Sequence, residues 1–422
     1  MRLKRRLPTS NGPLGALGPG VVTGVADDDP SGVTTYTVAG AAHGYDLLWM
    51  SLVTLPLNIA VQSICARIGV MTGHGLARVI ADRYGRRVLT PVVLLLFIAN
   101  VVNIGADLGA IAGAINLIVP VPRTVTVVAL GIMIAGIEVI VPYTRLATIL
   151  KTLTFIIFAY VAAAVIAQPD WHEALRNTVI PRVALDRAEL ITIVAILGTT
   201  ISPYLFFWQA AQEIEEELRT GVDASVSSAR QLGVLARAAD IDVAVGMTVA
   251  NVGFYFIVLA AAATLHRAGI TEVETAAEAA EVLRPLAGPW ASLLFALGII
   301  GTGLLAIPVL AGSAAYAAAE LFGWREGLSR TFRQAPQFYA VIVVATALGV
   351  ALVFSGVPEM RGLYWAAVLN GVIAPVLLVF VMVSAHDQRV MRGNGPGGPL
   401  LAVGWLTVAL MAAAPLALLV VR

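Results

Sequence analysis

The chain alternates long apolar stretches with short polar connectors. Apolar runs centre on residues 25–40, 47–68, 91–118, 125–141, 146–167, 190–212, 243–265, 290–318, 338–354, 363–384 and 400–421. Many reach the roughly 20 residues that a helix needs to cross a hydrocarbon core. The pattern predicts an all-α membrane protein with about 11 transmembrane helices.

Composition supports that reading. Of the 422 residues, 59% are hydrophobic and 13% charged, against about 25% charged in a soluble domain. The net charge of +1 gives no footprint for nucleic acid. The single cysteine, Cys65, rules out an intramolecular disulfide framework and a cysteine-rich metal site. No nucleophile–base pair or His-Glu-x-x-His motif suggests an enzyme.

Charge sets the orientation. Arg2, Lys4, Arg5, Arg6, Arg83, Arg86, Arg87, Arg325, Arg330, Arg333, Arg389 and Arg392 fall on connectors of one parity. The opposite connectors carry fewer cations. By the positive-inside pattern the N-terminus is cytoplasmic, and an odd helix count puts the C-terminus outside, in a cell inner membrane. The outer run Glu272, Glu274, Glu278 and Glu281 reads as a solvated helix face or a weak cation funnel.

Two spans break the rules. The first holds Asp27, Asp28, Asp29 and Pro30 near its centre, with Gly32 following. A carboxylate at that depth costs several kcal/mol, and Pro30 removes a backbone donor. The sixth holds Gly198, Ser202 and Pro203. Such breaks are tolerated only where they face protein or a water-filled cavity. Two broken helices one five-helix unit apart predict an inverted 5+5 repeat. The expected organisation is a tail over 1–16, a first repeat over 17–168, an outer loop over 169–189, a second repeat over 190–384, and an inner loop with an eleventh helix over 385–422. An ion between the breaks would meet the Asp29 carboxylate, freed carbonyls near Ala26 and Thr199, and the Ser202 hydroxyl. These are hard-cation ligands. The structural alternative is that Asp29 only caps the broken helix. Asp28 is a further candidate for the ion path.

These features resemble the NRAMP family of divalent metal transporters. The resemblance rests on Gly-Pro-Gly at Gly18–Gly20, the Asp29–Pro30 and Ser202–Pro203 breaks, ARIGVMTGHGLARVIADRYG after the second span, and ADLGAIAGAINL in the third. It implies a leucine-transporter-like architecture, alternating access and a metal site between the first and sixth helices. Where the family carries Asp-Pro-Gly-Asn, this chain has Asp29, Pro30, Ser31 and Gly32. Where the family carries Met-Pro-His-Asn, it has Ser202, Pro203, Tyr204 and Leu205. A second family histidine corresponds to Gln209. In the third helix Asp107 is kept, but Ala110 stands where the family has glutamate.

Loss of the thioether removes a soft ligand that favours transition metals. An oxygen-only site suits a partly hydrated Mg²⁺, with Mn²⁺ following, as in the NRAMP-related magnesium transporters. The departures imply weak or absent proton coupling, with membrane potential driving entry. The expected substrate is a divalent cation and the expected environment a lipid bilayer, with protons as an optional partner and no cofactor. Asn370, in the tenth span, is a further ion-path candidate. Asp107 either serves the path or pairs with Arg67. Glu138 would pair with Arg145 or Lys151, and Glu213 reads as a solvated helix end or an exit vestibule. Two alternatives stay open: a proton-coupled Mn²⁺/Fe²⁺ symporter, and a sodium-coupled amino-acid carrier of the same fold. The acidic run Asp27–Asp29 argues against an anionic substrate.

Overall fold

The computed structural model describes residues 18–141, 157–184, 186–220, 227–273 and 276–421. Among these there are helices and connectors and no strand. The first span is two half-helices, α1 (Pro19–Asp27) and α2 (Pro30–His43). They are followed by α3 (Trp49–Thr72), a short α4 (Leu76–Tyr84), α5 (Arg86–Ile118) and α6 (Arg123–Ile140). Next come α7 (Ile157–Ile166) and α8 (Trp171–Val179). The sixth span is again two halves, α9 (Arg187–Thr200) and α10 (Pro203–Thr220). The remaining helices are α11 (Ala229–Thr264), α12 (Ala276–Phe322), α13 (Pro336–Val353), α14 (Glu359–His386) and α15 (Gly398–Ala417). Nine spans among the described residues are long and apolar enough to cross a membrane, with α9 and α10 counted as one.

The breaks follow from local chemistry. Asp28 leaves helical geometry at φ −87° and ψ 49°. Asp29 is extended, and its side chain accepts the Gly32 N–H at 2.7 Å, an N-cap for α2. Pro30 then occupies the first helical position, where its missing N–H costs nothing. In the sixth span Ile201 departs at φ −116° and ψ 60°, and Pro203 opens α10.

Several helices run past their apolar cores. The seventh span begins at Ala229 rather than near 243, because Ser228 and Gln231 form a reciprocal capping box. The eighth begins at Ala276 and is kinked at Gly288, where φ is 78°. Of the predicted fifth span, only the part from residue 157 lies within the described residues.

The end of α1 is secured from another helix. Gly18 offers no side chain for a cap, and Asp242 on α11 accepts the N–H groups of Gly18 and Gly20 at 2.9 and 2.6 Å. Small residues let the two backbones touch. A Cβ at Gly246 would land on the Gly20 carbonyl oxygen, and one at Gly24 on the Gly246 backbone. Where lipid removes the hydrophobic drive between helices, close van der Waals contact of this kind holds them together. Arg67 on α3 pairs with Asp240 on α11 beside the same contact. The expected pairing of Arg67 with Asp107 is therefore replaced, because Asp240 enters the helix that the sequence pattern starts too late.

Gly246→Val should lower stability by about 1–3 kcal/mol, the range for overpacking a tight contact. Thermal unfolding of the detergent-purified protein reads this. Gly136→Ala is the control, since nothing lies within 4 Å of its added Cβ.

Candidate functional site

The two breaks meet in the middle of the bundle. Asp29 is 1% exposed. Its Oδ1 accepts from the Ser31 hydroxyl at 2.5 Å as well as from Gly32 N–H. Its Oδ2 accepts from the Tyr204 hydroxyl at 3.3 Å. That hydroxyl also donates to the Ala26 carbonyl at 2.7 Å. Ser31 and Thr199 hydroxyls lie 3.3 Å apart, joining the first break to the second. Ser202 donates to the carbonyls of Gly198 and Thr199 at 2.8 and 2.7 Å.

Most of the predicted oxygen set is thus assembled in one place. Asp29, Ala26 and Tyr204 share one hydrogen-bonded group, and Thr199 and Ser202 adjoin it through Ser31. Gly32 completes the wall, since a Cβ there would stand 3.2 Å from the Thr199 hydroxyl. The freed carbonyls are not left bare. Tyr204 holds that of Ala26, and Ser202 holds that of Thr199. Hydroxyls can rotate, so an arriving cation would displace neutral donors rather than break a helix. Ser31 was not singled out from the sequence. Its place two residues after Asp29, where short side chains bond back to the preceding loop, was the available signal.

The other candidates divide. Asp28 and Asp107 are both 0% exposed, and neither has a hydrogen-bond donor to either carboxylate oxygen. Such carboxylates are costly in a low-dielectric interior and favour cations nearby. Asn370 accepts from Asn103 at 3.4 Å, across α5 and α14. Gln209 turns to Glu213 at 2.8 Å, one turn along α10 and away from the break. Glu213 is only 7% exposed, so it is neither a solvated helix end nor an open vestibule residue; α3, α12 and α1 pack around α10. Glu138 is buried on α6, and its expected partners Arg145 and Lys151 lie outside the described residues. Of the acidic run, Glu272 is exposed, Glu274 lies outside the described residues, and Glu278 and Glu281 belong to α12. No group of three or more His, Cys, Asp or Glu side chains forms a metal cage among the described residues.

Helices interrupted at mid-bundle around a polar gap define a membrane carrier rather than a channel or a soluble enzyme. The Nramp profile, described as natural resistance-associated macrophage protein-like, matches residues 20–421. The chain belongs to that family. It is similar to the divalent metal cation transporter MntH of Verminephrobacter eiseniae, 29% identical over 350 residues, covering 81% of this chain and 76% of the relative. The fold is shared with the Eremococcus coleocola manganese transporter, solved with an aromatic bis-isothiourea substituted compound. That match has a TM-score of 0.79 and 18% identity over 96% of this chain and 85% of the other. A nucleobase-cation-symport-1 family transporter in a closed conformation with bromovinylhydantoin bound also matches. Its TM-score is 0.58 and its identity 16%, over 96% of this chain and 91% of that one.

A second acidic group lies at the Gly18 end, where Glu215 and Glu320 close their spans and Glu326 lies beyond them. Glu215 on α10 accepts from the Tyr316 hydroxyl at 2.8 Å. Glu320 on α12 caps α4, accepting Arg78 N–H at 2.9 Å. Glu326, in the connector after α12, is pushed up from 4.5 to about 9 by burial, then by the Glu320 and Glu215 charges, against the opposing pull of Arg78 and Arg330. A carboxyl raised in the folded state contributes stability below its unfolded value and loses it as pH rises. Stability should therefore fall between pH 4.5 and about 9. Glu326→Gln should flatten that fall, as read by melting the purified protein across a pH series.

Proposed function

We propose that the protein carries divalent metal cations, Mg²⁺ and/or Mn²⁺, by alternating access, with Asp29 as the anionic ligand and Ala26, Thr199 and Ser202 as neutral oxygen ligands. The observation that carries this reading is the Asp29 carboxylate lying between two interrupted helices among Ser31 and Tyr204 hydroxyls and the Ala26 carbonyl. Every side chain that bonds Asp29 offers oxygen. Neither sulfur nor imidazole takes part, so a hard ion fits better than a soft one. Mg²⁺ gives up its water reluctantly, and hydroxyls can bind it through retained waters.

Asp28, Gly32, Tyr204, Asp107 and Asn370 would shape the ion path, with Gln209 further along α10. The residues over 17–168 and 190–384 act as the two repeats around this site. The membrane is the cell inner membrane, with the N-terminus cytoplasmic and the C-terminus outside. Proton coupling is weak or absent, because Tyr204 and Ala110 stand where a titrating imidazole and the glutamate after Asp107 would serve it. Entry is then driven by the potential, about 2.3 kcal/mol per charge per 100 mV. The second reading is a proton-coupled Mn²⁺ symporter. The buried Asp107 favours its coupling, and the Eremococcus coleocola protein of the same fold is a manganese transporter.

Uptake into proteoliposomes separates the two. Wild type should take up Mg²⁺ and Mn²⁺ in mutual competition, with little change of internal pH. Asp29→Ala should lose at least about tenfold in rate, the effect of removing one charged ligand. Mn²⁺ uptake with obligatory acidification, indifferent to millimolar Mg²⁺, would favour the symporter. Unchanged uptake in Asp29→Ala would remove Asp29 from the mechanism.

A further inference from the structure

The carboxylate two residues before Asp29 serves a different place. Asp27 turns away from the gap between the breaks, into a narrow cleft lined by Asn58, Tyr36, Thr200 and Asn251, with Phe254 among its apolar walls. The Asn58 amide donates to Asp27 Oδ2 at 2.9 Å. Asp27 Oδ1 and Asn58 Oδ1 have no hydrogen-bond donor, although the two residues are 1% and 2% exposed.

The hydroxyls of the cleft have spent their hydrogens. Thr200 donates to the Ile196 carbonyl at 2.7 Å, so in its 3.2 Å contact with Tyr36 it must accept. Tyr36 therefore donates to Thr200 and keeps its lone pairs free. Its ring is fixed by stacking on Phe254, with centroids 4.3 Å apart. Asn251 already accepts from Thr54 at 3.4 Å. Beside the amide N–H groups of Asn58 and Asn251, the cleft presents oxygen acceptors around one carboxylate. None of its lining residues is cationic.

An anion buried with one neutral donor still costs several kcal/mol, so such a site calls for a proton or a cation. One carboxylate with neutral oxygens balances a single charge. A divalent ion would be half compensated there, and Mg²⁺ would need room for its waters. The cleft is too narrow for an organic solute. We infer that the Asp27–Asn58 cleft is a binding site for a small monovalent metal cation, Na⁺, separate from the divalent site at Asp29. The ligands come from both sides of the first break and from the residue before the second. Bound Na⁺ would therefore clamp α1, α2, α3 and α9 in the arrangement described here. This reading does not depend on which divalent ion is carried.

The test is equilibrium binding of radioactive Na⁺ to the purified full-length protein, near neutral pH and without divalent ions, with N-methylglucamine holding ionic strength. Wild type and Asp29→Asn should both bind saturably. Asp27→Asn should bind at least about tenfold more weakly, as expected when a charged ligand becomes neutral. Asn58→Leu, which keeps the carboxylate, should also weaken binding. Absence of saturable binding by monodisperse wild type would overturn the inference. So would binding lost in Asp29→Asn but kept in Asp27→Asn, which would put the ion in the divalent site. If Asp27→Asn does not fold, unchanged affinity in Asn58→Leu is the decisive negative result.

Discussion

Interrupting a helix inside a membrane frees backbone groups that lipid cannot satisfy, and each one left bare costs several kcal/mol. This chain interrupts two, and the molecule around them is arranged to meet that demand. Asp29 takes the Gly32 N–H, Tyr204 gives its hydroxyl to the Ala26 carbonyl, and Ser202 gives its own to Gly198 and Thr199. The partners come mostly from the breaks themselves. A group that stabilises one half-helix is therefore also a wall of the cavity, and the ligand set and the caps are the same atoms.

The same economy governs charge. Asp27, Asp28, Asp29 and Asp107 are all buried, and among the described residues no lysine or arginine is paired with them. Only Asp29 is richly hydrogen-bonded, while Asp27 has one donor and Asp28 and Asp107 have none. Burying four such carboxylates is tolerable only if protons or cations neutralise them. The bundle thus offers a strongly cation-favouring interior, graded from a well-satisfied carboxylate to bare ones. That gradient argues for cations as cargo more firmly than any single ligand does, and it disfavours an anionic solute at the same gap.

Much of this was legible in the chain. The run Asp27–Pro30 and the pair Ser202–Pro203 announce breaks because proline cannot donate and buried carboxylates need a reason. They brought Asp29, Ala26, Thr199 and Ser202 into view as neighbours before any coordinates. What periodicity could not supply was the partner across space. Gln209 was a path candidate, and what periodicity did not show is that its amide donates to Glu213 one turn along α10. Arg67 was offered Asp107 because both lie in spans. Its true partner, Asp240, sits in the polar first third of α11, which hydropathy excludes from the span. Glu213 looked solvated because acids cluster after it, and only packing by α3, α12 and α1 buries it.

The last step concerns movement. Alternating access requires some helix to change partners while the fold persists, and contact type indicates which interfaces resist this. Interdigitated glycine contacts such as Gly24 on Gly246 are short-range and steeply repulsive. They favour a pair of helices moving as one body over sliding past each other. The α1 end is further bound to α11 by the Asp242 cap, and α3 is bound to α11 through Arg67 and Asp240. By contrast, α2 meets α9 near the breaks through long hydroxyl contacts of 3.2–3.3 Å, weak bonds that break at small cost. The compliant seam is therefore the hydroxyl-lined one between the two breaks, the same seam that holds Asp29. An ion that replaces those hydroxyl contacts with its own would alter the seam's stiffness directly. Occupancy and conformation are coupled there without any longer chain of interactions.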